Sequence, residues 1–147
     1  MTSTAARSVR GRAKRAGYLI AALIDVVLLV LINVSPGWQV VPFLTEQAGD
    51  VVRVVDIGLA VGIVVNLVCL AIPRRPVVLL GDVLTTAVAL AVLWQTWAVF
   101  PFDFADPAVD WATIARIALP MVGVAVSIAL VVQAVALVRA LVQPEER

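Results

Sequence analysis

Four long apolar runs, separated by short segments rich in proline and glycine, constrain this chain more than any other feature of its sequence. They cover residues 17–34, 52–72, 77–100 and 112–142. Each run reaches the ~17 to 25 residues that an α-helix needs to cross the hydrocarbon of a bilayer. Inside hydrocarbon a backbone amide finds its partner within its own helix or in a closed barrel. The sequence therefore predicts an all-α integral membrane bundle of four transmembrane helices.

Turn and capping residues mark where these helices begin and end. Pro73-Arg74-Arg75-Pro76 separates the second run from the third, so these two must form an antiparallel hairpin. Thr45 or Asp50 is predicted to cap the second helix. Asp106-Pro107 or Asp110 is predicted to start the fourth, which at ~45 Å exceeds the bilayer and must tilt, protrude or kink at Pro120.

The composition narrows the classes of function. Hydrophobic residues make up 63% of the chain and charged residues 14%, whereas about a quarter of a soluble domain is charged. The chain has no histidine and one cysteine, Cys69, which excludes His-ligated haem, histidine bases and disulfide pairs. We predict no catalytic residue, no cofactor and no metal site.

Basic residues predict the orientation. Nine of the eleven Lys and Arg residues lie in the tail 1–16, the turn between the second and third runs, and the C-terminal end of the chain, including the tail 143–147. By the positive-inside rule both termini are cytoplasmic, in a multi-pass protein of the plasma (inner) membrane. A signal peptide is the alternative for the first run, but no clear cleavage site follows it. The basic tail is expected to touch anionic lipid rather than nucleic acid.

Aromatic residues concentrate at the other, outer boundary. A plain interfacial belt explains them, although belts normally form at both boundaries. The alternative is a packed outer cap that meets a partner or lipid. The candidate surface comprises Trp38, Phe43, Phe100, Phe102, Asp103, Phe104 and Trp111.

Several polar residues are predicted to share one layer inside the bilayer. This layer comprises Asp25, Asn66, Asp82, Thr86 and Gln133, with Thr85 at the same depth. A carboxyl group inside a span costs roughly 2.5 to 3.5 kcal/mol and is a functional candidate. One hypothesis is a proton-coupled or cation site. The other is that Asp25 and Asp82 are neutral or hydrogen-bonded contacts between helices.

Two further patterns predict helix packing. Asp56 and Arg116 stand at similar depth near the outer boundary, where an interhelical ion pair is expected, with Arg53 as a competing partner for Asp56. Small or polar residues spaced by four favour close approach of helices in lipid. One such stripe is Gly58, Gly62 and Asn66, and another is Gly123 and Ser127 with Arg116.

Two loop motifs carry a family resemblance. Trp38 followed by Pro42-Phe43-Leu44-Thr45, and Phe100-Pro101-Phe102-Asp103-Phe104, resemble the loops of a family of small four-span inner-membrane proteins of bacteria. That family has no known activity. The resemblance implies the four-span fold and assigns no site residue.

Three functions fit these observations. The first is a non-enzymatic accessory or scaffold protein, with the bilayer as its solvent and a membrane protein or a second copy of itself as partner. The second is a small proton-coupled transporter that uses Asp25, because small multidrug transporters also have four helices and one essential acid in the first. The third is an enzyme acting on lipid through Asp103, Asp106 or Asp110, for which no nucleophile or metal-binding spacing is present.

Overall fold

The computed structural model contains four long α-helices in antiparallel order. It describes residues 2–104 and 108–142, with side chains from Ala13 onward. The helices are α1 (Thr2–Asn33), α2 (Ala48–Ala71), α3 (Arg75–Val99) and α4 (Trp111–Val142), and a short 3-10 helix covers Trp38–Val40. All four are long and apolar enough to cross a membrane. The prediction of a four-helix transmembrane bundle is confirmed.

The helix ends follow the local sequence, with some shifts from the predicted bounds. α1 continues through the basic tail to Thr2, and its apolar span begins at Ala13, because Ala, Arg and Lys are all good helix formers. α2 starts at Ala48, four residues early, and neither Thr45 nor Asp50 caps it, since its N-cap is Gln47 without a side-chain bond. In α3, Pro76 lies in the first turn. Backbone N–H groups in a first turn have no partner within the helix, so proline's lack of an N–H costs no hydrogen bond there.

The fourth helix begins at a side-chain cap. Asp110 accepts hydrogen bonds from the Thr113 backbone N–H at 3.0 Å and from the Thr113 hydroxyl at 2.6 Å. An N-cap aspartate satisfies an amide that the first helical turn leaves free. Asp110 is thus the start predicted from the sequence, while Asp106-Pro107 lies outside the described residues. From there α4 continues through Pro120 to Val142 without a break.

The helices pack in chain order, α1 on α2, α2 on α3 and α3 on α4. Extensive packing between helices that are not neighbours in sequence is absent from the described part of the chain. The bundle is therefore an ordered row in which α2 and α3 are covered on two sides and the end helices, α1 and α4, on one. α4 has no buried residue.

Candidate functional site

Two loops at the same end of the bundle pair with each other. Leu44 and Phe102 form an isolated antiparallel β-bridge. The Thr45 N–H donates to the Pro101 carbonyl at 3.0 Å, and the Asp103 N–H donates to the Phe43 carbonyl at 2.9 Å. These bonds join segments almost sixty positions apart into one structure. We call residues 38–47 and 100–104 together the cap.

Phenylalanine rings hold the two halves of the cap together. Phe104 stacks on Phe43 from the first loop and on Phe102 from its own, with ring centroids 5.8 and 5.6 Å apart. Phe100 meets Phe102 edge to face at 5.5 Å. Such pairs contribute about 0.5 to 1.5 kcal/mol each beyond burial. These four rings therefore pack on one another across the two loops rather than lying apart.

Trp38 and Trp111 do not join the ring stack. Trp38 lies against Gly49 at the start of α2, where an added Cβ would stand 3.6 Å from its indole. Trp111 is 46% exposed in the first turn of α4. The aromatic residues of the predicted surface therefore form a cluster of four phenylalanines, three of them stacked, with two tryptophans at separate positions.

An apolar cavity of about 470 Å³ lies behind the cap. Residues from α1, α2 and both loops line it, among them Leu31, Trp38, Val52 and Phe102. Pro101 is fully buried beside it. The cap thus covers the end of the bundle, and its interior is nearly free of polar groups.

Charged side chains surround the cap, and most of them are acidic. Glu46, Asp50, Asp103 and Asp110 are exposed. Hydrogen bonds from the side chain and backbone of Thr113 lower the pKa of Asp110 below its ordinary value, so this carboxyl is held ionised as a cap rather than free for acid chemistry. We call these four carboxylates the acidic rim.

The two basic residues near the rim have partners of their own. Arg53 forms an exposed i, i+3 ion pair with Asp50, with the charged groups 3.9 Å apart. The competing prediction had named Asp56 as its partner. The Arg116 guanidinium lies over the Phe100 ring, 4.7 Å from its centroid. A cation over an aromatic face is stabilised by the ring quadrupole.

The ion pair predicted between Asp56 and Arg116 is absent from the described residues. The Asp56 carboxylate instead accepts a 2.7 Å hydrogen bond from the Asn33 amide on α1. The physical reason is the order of the helices, because α3 lies between α2 and α4. Equal depth in the bilayer does not place two side chains on facing helices.

Asp25 is the centre of a polar contact in the middle of the bundle. The Asn66 Nδ2 atom donates to Asp25 Oδ2 at 3.3 Å, linking α1 to α2. The carboxyl lies against Gly62, where an added Cβ would stand 2.6 Å from Asp25 Oδ2. Glycine at this position is what lets the acid approach the α2 backbone. Asp25 and Asn66, two members of the predicted layer, are thus brought together.

The other members of the layer are not part of this contact. Asp82 is exposed on α3 and Thr86 is half-buried there. Gln133 on α4 keeps its Oε1 atom buried and without a hydrogen-bond partner in the described part of the chain. Thr85 lines the same cavity as Asp25 and Asn66.

Within the described residues, no three His, Cys, Asp or Glu side chains lie close enough together to hold a metal ion.

Comparisons with protein-family models, with curated proteins and with solved structures find no match for this chain. The resemblance of its loops to small four-span proteins therefore stays a prediction.

Proposed function

We propose that this multi-pass membrane protein is a non-enzymatic accessory protein whose cap holds a second membrane protein. The observation that carries the proposal is the construction of the cap. Two distant loops are joined by backbone bonds and stacked rings, yet Phe43 stays 42% exposed at the surface. An aromatic centre with a polar rim is the usual anatomy of a protein interface.

The charge of the rim favours a basic protein over an anionic lipid. Anionic phospholipid head groups carry a net negative charge, which the carboxylates of Glu46, Asp50 and Asp103 repel. A partner that presents Lys or Arg around an apolar patch complements both features of the cap. The proposed partner is therefore a membrane protein with basic residues at the level of the cap.

The proposed location is the plasma (inner) membrane with both termini in the cytoplasm and the cap outside. The distribution of Lys and Arg supports this orientation. The basic tail would then meet the anionic lipid of the cytoplasmic leaflet. Reporter tags test this orientation. A tag at either terminus should report the cytoplasm, and a tag at Glu46 should report the outside.

Site-specific crosslinking tests the partner. Phe43→p-benzoylphenylalanine is expected to give one discrete protein adduct on irradiation of intact cells. The matched control is Trp94→p-benzoylphenylalanine, which places the probe at a residue that is 70% exposed on α3, outside the cap. Glu46→Lys, added to the Phe43 variant, should reduce the adduct because it repels a basic partner. Equal adducts at both positions, or lipid adducts alone, would contradict the proposal.

A second candidate function, a small proton-coupled transporter, is supported by the position of Asp25. This acid is half-buried near the middle of the membrane span of α1, bonded to Asn66 and beside a cavity. Proton-linked export of a cation should then occur in proteoliposomes and stop in Asp25→Asn, while Asp82→Asn stays active. Absence of flux in the unmodified protein would remove this candidate.

A further inference from the structure

A cavity of about 660 Å³ lies between α1, α2 and α3. Its walls are mainly apolar side chains and glycines, such as Leu59, Gly58, Val88 and Val92. Ligand pockets for small molecules measure about 300 to 1,000 Å³ and combine apolar walls with a few converging polar groups. The cavity has the volume and the lining of such a pocket.

Three polar residues reach the cavity, and they offer a ligand mainly hydrogen-bond acceptors. One N–H of the Asn66 amide is given to Asp25, and the Thr85 hydroxyl donates to the carbonyls of Gly81 and Asp82 at 3.0 and 3.2 Å. What remains for a ligand is the carboxyl of Asp25, the amide oxygen and second N–H of Asn66, and the lone pairs of Thr85. A group offering several donors and a positive charge fits this set.

The cavity lies within the membrane spans of the helices, so its open side faces the bilayer rather than water. α2 and α3 form its walls, Asp25 is the one lining residue from α1, and no described residue of α4 lines it. Since α4 packs on α3, the side opposite α2 is left uncovered. A ligand would reach Asp25 from within the hydrocarbon, so it must itself dissolve in the membrane.

We propose that this cavity binds an amphiphilic amine taken up from the bilayer, with its ammonium group on Asp25 and its apolar body between α2 and α3. A bare metal cation fits less well, because such an ion needs about six oxygen ligands and the walls here are mostly apolar. The proposal depends on neither of the functions above, since a site can bind without transport and without the cap.

Fluorescence titration of the purified protein in nanodiscs of zwitterionic phosphatidylcholine tests the site. The probe is dansylcadaverine, a primary amine on an apolar fluorophore, and energy transfer from the protein tryptophans reports its binding. N-acetyl-dansylcadaverine has the same body without the charge and is expected to bind weakly. Asp25→Asn should weaken binding of the amine at least about tenfold, the loss expected for one charged hydrogen bond.

Two further variants separate binding from folding. Asp82→Asn removes an exposed acid of α3 that does not line the cavity, and its affinity should equal that of the unmodified protein. Val92→Phe leaves Asp25 in place but fills the cavity, and should also block binding. Equal affinity for the amine and its acetylated form, or unchanged binding in both Asp25→Asn and Val92→Phe, would overturn the proposal. Binding of the amine without any transport would support the binding site and contradict the transporter function.

Discussion

The α2–α3 and α3–α4 interfaces each contain a glycine, but the space beside these two glycines differs. Between α2 and α3, a Cβ added to Gly81 would stand 2.7 Å from Val65 and 3.2 Å from Cys69. Between α3 and α4, a Cβ added to Gly123 would meet nothing within 4 Å. A groove of about 230 Å³ runs beside Gly123 and Pro120. A glycine in a span therefore allows close approach without requiring it.

The difference between the two interfaces predicts opposite effects of the same substitution. Gly81→Ala should destabilise the protein by about 2 kcal/mol, because the new methyl group forces Val65 out of place. Gly123→Ala, the matched control, should be neutral or slightly stabilising, since alanine favours a helix and has room here. Unfolding in mixed detergent micelles, followed by tryptophan fluorescence, measures both. Equal destabilisation by the two variants would show that a methyl group has no more room at position 123 than at position 81.

A smaller loss is expected where the close approach involves the end of an unbranched polar side chain rather than a stiff β-branched one. Gly62→Ala should cost about 1 kcal/mol, because its Cβ would displace the Asp25 carboxyl and break the bond to Asn66. In an Asp25→Ala background the same substitution should cost nothing, since the group that it displaces is gone. A cost that stays the same in both backgrounds would mean that the backbone, and not Asp25, opposes the methyl group.

The α1–α2 interface offers a third test through the bond between Asn33 and Asp56. Asn33→Ala should cost about 0.6 kcal/mol, the average for an interhelical hydrogen bond in a membrane. Arg116→Ala should show no energetic coupling to Asp56→Ala, because Arg116 lies on Phe100 instead. Double-mutant cycles give both coupling terms. Energetic coupling of Asp56 to Arg116 rather than to Asn33 would show that the ion pair predicted from the sequence forms instead.

A local effect that depends on pH is expected at the start of α4. Because the pKa of Asp110 is lowered in the folded protein, its contribution is fully present above its unfolded pKa of ~3.9 and is lost as the pH falls through the folded value. The protection factor of the Thr113 amide, which compares its exchange rate with that of an unstructured amide at the same pH, should therefore fall in acid. Asp110→Ala should show low protection at every pH, whereas Asp110→Asn should keep the cap and its protection without the dependence on pH. Exchange that is insensitive to both changes would exclude the cap bond.

The spans were predictable from the sequence because hydrocarbon leaves the backbone so few options. Asp110 was predictable as a cap because its role depends on local spacing. The mid-membrane layer was only half predictable. Distance along a helix gives the depth of Asp25 and Asp82, but the rotation of each helix decides which of them meets a neighbour, and rotation depends on packing.

The same distinction explains the predicted ion pair. Asp56 and Arg116 have matching depths, yet only the order of the helices shows that α3 separates α2 from α4. The bond between Asn33 and Asp56 could have been predicted. In two antiparallel neighbouring helices, the end of the first span lies beside the start of the second, and Asn33 and Asp56 stand at these positions. The pairing of Leu44 with Phe102 depends on two distant loops, and short β-bridges have no periodic signal in sequence.

The row of helices, in which each one packs on its predecessor, has a consequence for biosynthesis. Each helix after the first finds its packing partner already in the membrane when it leaves the insertion machinery. The packing of the helices therefore does not depend on contacts with segments that are synthesised later. The Leu44–Phe102 bridge differs, because it must wait until α3 has been synthesised. Closure of the cap would then be the event that reports completion of the third span, while α4 joins an assembly that is already formed.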